Sequence, residues 1–269
     1  MFRRSLIVAA CVAIGAVVYL ASVHVAAIER ADVHTLAGFM GLASLPGAWA
    51  ATWLVHLFDP APFAILSGSL TLAAIAANRV KAGVAAFGLM LGANVTTQLL
   101  KPLLAVQRDY PAGHVMGPEA FPSGHTTAVM SFALALIIIS PARLRPLAAA
   151  AGGLLTVATV YSILILGWHY PSDVIGGLLV ATTWACAAGA ALKADVRPSF
   201  SGPALAGTLL TAAAAFAVLA RPADAVAYAS ANTTFVLGAL AIAAATLALS
   251  GSAPAPRAAR RDRSRRARG

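Results

Sequence analysis

Apolar runs close to 20 residues long recur along almost the whole chain, and no other feature constrains its fold as strongly. A hydrocarbon core of about 30 Å is crossed by about 20 residues of helix. Segments 5–28, 59–77, 82–100, 124–140, 146–168, 173–192, 203–220 and 233–250 meet that length. Only 10% of the 269 residues are charged and 60% are hydrophobic, whereas a soluble domain carries about 25% charged residues. An alanine-rich soluble bundle would still need a polar face on each helix. The expected fold class is therefore all-α, a polytopic transmembrane helical bundle.

The segments between the runs set its organisation. Arg3 and Arg4 precede a first run longer than a secretory signal would need, which predicts an uncleaved first span. Residues 29–58 are semi-polar, and Trp49, Trp53 and His56 suggest a helix lying along the headgroups. Arg197-Pro198-Ser199 interrupts the pattern after six spans. The expected division is a core over 1–198, two further spans over 199–252, and a basic disordered tail over 253–269. Cys11 and Cys186 both fall inside apolar runs and read as packing residues.

Basic residues predict the orientation. With the N-terminus inside, Arg3, Arg4, Arg79, Lys81, Arg143, Arg145, Lys193, Arg197 and seven tail arginines are cytoplasmic. Arg30, Lys101, Arg108 and Arg221 are then outside. This is the pattern of a multi-pass plasma-membrane protein with both termini in the cytoplasm. The tail lacks aromatic residues; it reads as a lipid-headgroup contact, and nucleic acid is not an expected partner.

The same assignment gathers polar chemistry on the outer face. Pro122-Ser123-Gly124-His125 opens an apolar run, with Ser123 as a natural N-cap. The free amides of a helix start favour an anion, and Gly124 lets the backbone come close to it. Capping alone would also account for the tetrapeptide. Downstream, Asp173 lies four residues after His169, a spacing that lets the carboxylate orient the ring if the turn is helix-like. A histidine in an aromatic belt with Trp168 and Tyr170 is the alternative. Lys101 ends the third run, where a snorkelling lysine is common. Arg108 adds a planar fork suited to phosphate oxygens.

Taken together these segments resemble the type 2 phosphatidic acid phosphatase (PAP2) superfamily, with its motifs K-x6-R-P, P-S-G-H and S-R-x5-H-x3-D. Here they read Lys101…Arg108-Asp109, Pro122-Ser123-Gly124-His125, and Ser162-Ile163…His169…Asp173, with matching order and spacing over roughly residues 55–195. The resemblance implies an integral-membrane lipid phosphatase. His169 would be the nucleophile forming a phosphohistidine, Asp173 its orienting group, and His125 the general acid and base. Lys101, Arg108, Ser123 and Gly124 would bind phosphate. No metal or other cofactor is implied. A lipid phosphate or polyprenyl diphosphate would be the substrate.

Two positions depart from the pattern. Ile163 stands where the family has an arginine, and Asp109 where it has a proline. Losing one preorganised donor of this kind typically costs about 10²–10³ in rate. His114 or Arg30 would be sources of replacement charge, and Asp109 could compete for Arg108. A catalytically impaired lipid-binding or scaffold protein is thus the alternative reading, and a phosphotransferase is a variant of the first. A transporter would call for an inverted repeat and a charge within a span, and neither is visible.

Overall fold

The computed structural model describes residues 2–45, 48–110, 116–192, 195–196, 222–251 and 254–255. Segment 203–220, His114, Lys193, Arg197, Arg221 and the tail arginines lie outside the described residues.

The chain forms an all-helical bundle. Its helices are α1 (Phe2–His24), α2 (Ala26–Met40), α3 (Trp49–His56), α4 (Pro60–Ala76), α5 (Val80–Leu103), α6 (Gly124–Ile139), α7 (Arg145–Ile165), α8 (Pro171–Ala191), α9 (Pro222–Ala231) and α10 (Thr233–Gly251). A 3-10 turn, Gly41–Ser44, follows α2. The only strand pairing among the described residues is antiparallel, Asp195–Val196 with Pro254–Ala255. Helices α1, α5, α7, α8 and α10 are long and apolar enough to cross a membrane. Joined across a 58° bend, α3 and α4 make a sixth such segment.

Two segments differ from the sequence expectation. The first run does not continue to residue 28: Val25 is extended, at φ −110°, and separates α1 from α2. The headgroup helix expected over 29–58 is two helices and a 3-10 turn. α2 packs into the bundle, burying Asp32, Leu36 and Phe39. Trp49 and Trp53 of α3 are exposed. The run at 124–140 yields only the 16-residue α6, about 24 Å long. It starts at the Ser123 cap and ends at Ser140, before Pro141.

α6 is the centre of the bundle, packed by α5, α7 and α8. It is apolar on all sides, and nearly all its residues are buried, including Met130, Leu134, Ile137 and Ile138. The Thr97 and Thr127 hydroxyls meet at 3.0 Å and tie α5 to α6, while the Trp184 indole donates to Thr96 at 3.0 Å and ties α8 to α5. The C-terminal helix α10 closes the opposite side. Phe235 meets Phe39 edge-on at 4.9 Å, and the Tyr161 hydroxyl donates to the Ala239 carbonyl at 2.6 Å.

Close approach of α8 to the start of α6 depends on Gly177. A methyl group there would lie 2.7 Å from the Ser123 carbonyl oxygen and 2.9 Å from Thr126. Gly177→Ala should therefore destabilise the protein by about 1–3 kcal/mol through overpacking, seen as a lowered Tm in detergent. Gly68→Ala, with nothing within 4 Å of the added methyl, should leave Tm unchanged.

Candidate active site

Each motif arrives at one end of the bundle for an identifiable local reason. Lys101 lies in the last turn of α5, which ends at Leu103. Ser123 caps α6, its hydroxyl accepting from the Thr126 amide at 3.4 Å and the Thr126 hydroxyl at 3.0 Å. α7 ends in a Schellman turn: Gly167, at φ +71°, donates to the Leu164 carbonyl, and Trp168 donates to that of Ile163 at 3.0 Å. That turn aims Trp168 and His169 across the bundle end. Pro171 then starts α8 at its first helical position.

Asp173 connects all three motifs. Its carboxylate, fully buried, accepts from Arg108 Nη2 at 2.5 Å through Oδ1 and from the Tyr170 amide at 2.9 Å through Oδ2. Its carbonyl accepts from the Ser123 amide at 2.9 Å. His169 is buried beside it, with Nδ1 3.5 Å from Asp173 Oδ2. That separation is an ion-pair distance and too long for a good hydrogen bond; among the described residues Nδ1 has no hydrogen-bond partner. His169 precedes α8, so the pair does not have the helical i,i+4 geometry that would bring them closer.

Arg108 is more committed than the sequence implied. Its side chain is 5% exposed and lies over the Tyr170 ring at 3.9 Å. Besides Asp173, it donates from Nη1 to Asp32 Oδ2 at 3.2 Å and to the Ser172 hydroxyl at 3.0 Å. Ser172 in turn donates to Asp32 through its amide at 3.0 Å and its hydroxyl at 2.5 Å. The residue competing for Arg108 is thus Asp32, from α2. Asp109 is exposed, and its carbonyl accepts the Tyr170 hydroxyl. Arg30 is exposed, and Ile163 is fully buried with no charge to offer.

Two carboxylates therefore share one guanidinium. Burial pushes the Asp32 carboxyl up to about 6; the Ser172 hydroxyl works against this, Asp173 adds to it and Arg108 opposes it.

The second histidine belongs to another cluster. His125 Nε2 is 2.9 Å from Asp59 Oδ1, and His56 Nδ1 is 2.7 Å from Asp59 Oδ2. Trp168 stands beside both rings, at 5.5 Å from His125 and 5.8 Å from His56. Lys101 donates to the Glu119 carbonyl at 3.1 Å. Gly124 lies next to it: a methyl group there would be 4.0 Å from Lys101 Cε and 3.5 Å from the Gln98 amide.

His125, His169, Lys101 and Gly124 all line one cavity of about 1080 Å³. From this polar end the cavity continues between α4 and α5, past Phe63, Ser67, Asn94, Met90 and Phe87. Lys101 to Phe87 is 14 residues of α5, about 21 Å. Leu91, Val95 and Leu99 are 48–64% exposed along its α5 side.

The fold is that of a multi-pass helical membrane protein. The PAP2 superfamily model matches residues 82–197, the segment holding all three motifs. The fold is also similar to the crystal structure of the first transmembrane PAP2 type phosphatidylglycerolphosphate phosphatase from Bacillus subtilis. The TM-score is 0.57 at 19% identity, over 66% of this chain and 91% of that one. No curated protein matches the chain.

Sequence reasoning missed Asp32, Asp59 and Ser172. Asp32 lies inside the segment read as interfacial and Asp59 just after it, and only the Asp59-Pro60 junction carried a local signal, that of a helix start.

Asp32 gives a signed pH dependence. Its folded pKa, about 6, exceeds the usual carboxylate value of about 3.9, so the native state holds this proton more tightly than the unfolded state. The stability it contributes is complete below about pH 4 and is lost as pH rises to about 6, by roughly 2–3 kcal/mol. Asp32→Asn should flatten that part of a stability–pH curve measured by unfolding in detergent.

Proposed function

We propose that the protein is a membrane lipid phosphatase that hydrolyses a phosphomonoester or diphosphate through a phosphohistidine. The observation that carries this reading is the shared cavity, with both histidines and Lys101 at its polar end and an apolar cleft leading away. The cleft suits a hydrocarbon chain whose phosphate reaches the histidines. Phosphatidic acid, phosphatidylglycerol phosphate and polyprenyl diphosphates share that chemistry. The distribution of basic residues supports an outer-face site in the plasma membrane.

In this reading His169 attacks phosphorus with the ring nitrogen remote from Asp173. The P–N bond forms as the P–O bond to the lipid breaks, and His125 gives its proton to the departing oxygen. Water then attacks phosphorus, losing a proton to His125, and the P–N bond breaks to free phosphate. Asp173, beside Nδ1, stabilises the positive charge that the ring acquires on attack. Lys101 and the Gly124 amide hold the phosphoryl oxygens where charge must be stabilised, with Ser123 supporting the helix start behind them. Arg108 has spent three of its five donors; the remainder and its positive charge serve the phosphate. The expected domain division assigns this chemistry to residues 1–198.

A second reading, lipid-phosphate binding without turnover, is favoured by the buried Ile163 and by the two carboxylates on Arg108. Phosphate release from the three lipids in detergent separates the two. Catalysis predicts release that falls at least about 10³-fold in His169→Ala. Equal release by both proteins, or none by the wild type with lipid binding retained, would contradict it.

A further inference from the structure

The residues around Asp59 do not form the helix cap that their order suggests. Asp59 occupies the N-cap position of α4, where a carboxylate ordinarily accepts from the second or third helical amide. Here the helix opens Pro60-Ala61-Pro62, so two of its first three residues have no N–H, and Asp59 makes no side-chain cap bond. The carboxylate is turned instead on two imidazoles, His125 Nε2 at 2.9 Å and His56 Nδ1 at 2.7 Å. His56 and Asp59 lie at the 58° bend between α3 and α4, beside Phe58 and Pro60, which line the cavity.

We propose that Asp59 is a positioning residue for His125, fixing its tautomer and orientation so that Nδ1 is the nitrogen that exchanges the catalytic proton. An ionised carboxylate can only accept, so His125 must present Nε2–H to it. Nδ1 is then left to donate its proton to the departing lipid oxygen in the first step and to take one from water in the second. The arrangement is an Asp–His pair of the kind in which the acid orients the ring and stabilises the imidazolium without itself taking the proton. This rests on the phosphatase reading and adds to it a residue outside all three motifs.

The pair sits among several charges. His56 faces it from the end of α3, Lys101 from α5 and His169 from the turn before α8. Trp168 packs against the His56 and His125 rings. Side-chain exposures of 23% for His125 and 36% for Asp59 leave the pair in contact with solvent, so its effect should be moderate.

The test compares wild type, Asp59→Asn and Asp59→Glu as full chains in detergent. The His125 imidazole is followed by NMR on histidine-labelled protein, its signal assigned by its absence in His125→Gln. Asp59→Asn should lower the His125 pKa by about one unit. The alkaline limb of kcat/KM should shift down by the same amount, with kcat reduced about tenfold or more and KM little changed. Asp59→Glu should recover part of both. An unmoved His125 titration overturns the proposal, and so does a moved titration with an unmoved activity profile. If wild type releases no phosphate from any of the three lipids, the phosphatase reading fails; the NMR shift then still decides whether Asp59 holds His125.

Discussion

A carboxylate with no access to water must be compensated on the spot, and Asp173 is such a carboxylate. Burying an unpaired charge costs several kcal/mol. The compensation comes from Arg108, from the Tyr170 amide and from the start of α8. Because Arg108 belongs to the loop after α5, this one ion pair draws that loop onto α8. Because the Asp173 carbonyl accepts from Ser123, the start of α6 is drawn to the same point. The three motifs are far apart in the chain, and a single residue brings them into contact. Removing either side of the pair would leave charge stranded in a dry place, so this interaction supports both the fold and the site.

The second carboxylate on Arg108 explains what the C-terminal helices add. Asp32 is carried by α2, and α2 is held in place by α9 and α10. Phe235 packs on Phe39, the Tyr228 hydroxyl donates to the Gly38 carbonyl at 2.6 Å, and Thr35 donates to the Thr234 carbonyl at 3.4 Å. α9 and α10 thus brace the helix that reaches the arginine. The superfamily match ends at residue 197, so this bracing comes from outside the matched segment.

The bundle was legible in the sequence because a span is specified by length and composition, which need no tertiary information. The motif residues were legible because their spacing is local. His125 and His169 do share one cavity with Lys101, at the bundle end where the apolar runs predicted them. What was hidden depended on partners far away in the chain. Asp32 looked like a solvated acid in a semi-polar stretch, and nothing near it announces a guanidinium 76 residues downstream. Asp59 drew no reading of its own at the start of the second run, and only the fold shows that its carboxylate turns to His125. The end of the first span was misread because Val25 is as apolar as its neighbours; its extended backbone, not its composition, breaks the helix. The departure at Ile163 was visible, but its consequence was not: the position is fully buried, and the nearby charge balance is set by two carboxylates against Arg108.

The central claim is that His169 becomes covalently phosphorylated. Mixing the protein with a lipid substrate labelled in the transferred phosphoryl group, quenching in alkali and mapping the labelled peptide by mass spectrometry tests it directly. The account predicts an acid-labile, alkali-stable label on His169, absent from His169→Ala. Phosphate release by the wild type with no label on His169, or with the label on another side chain, would contradict it.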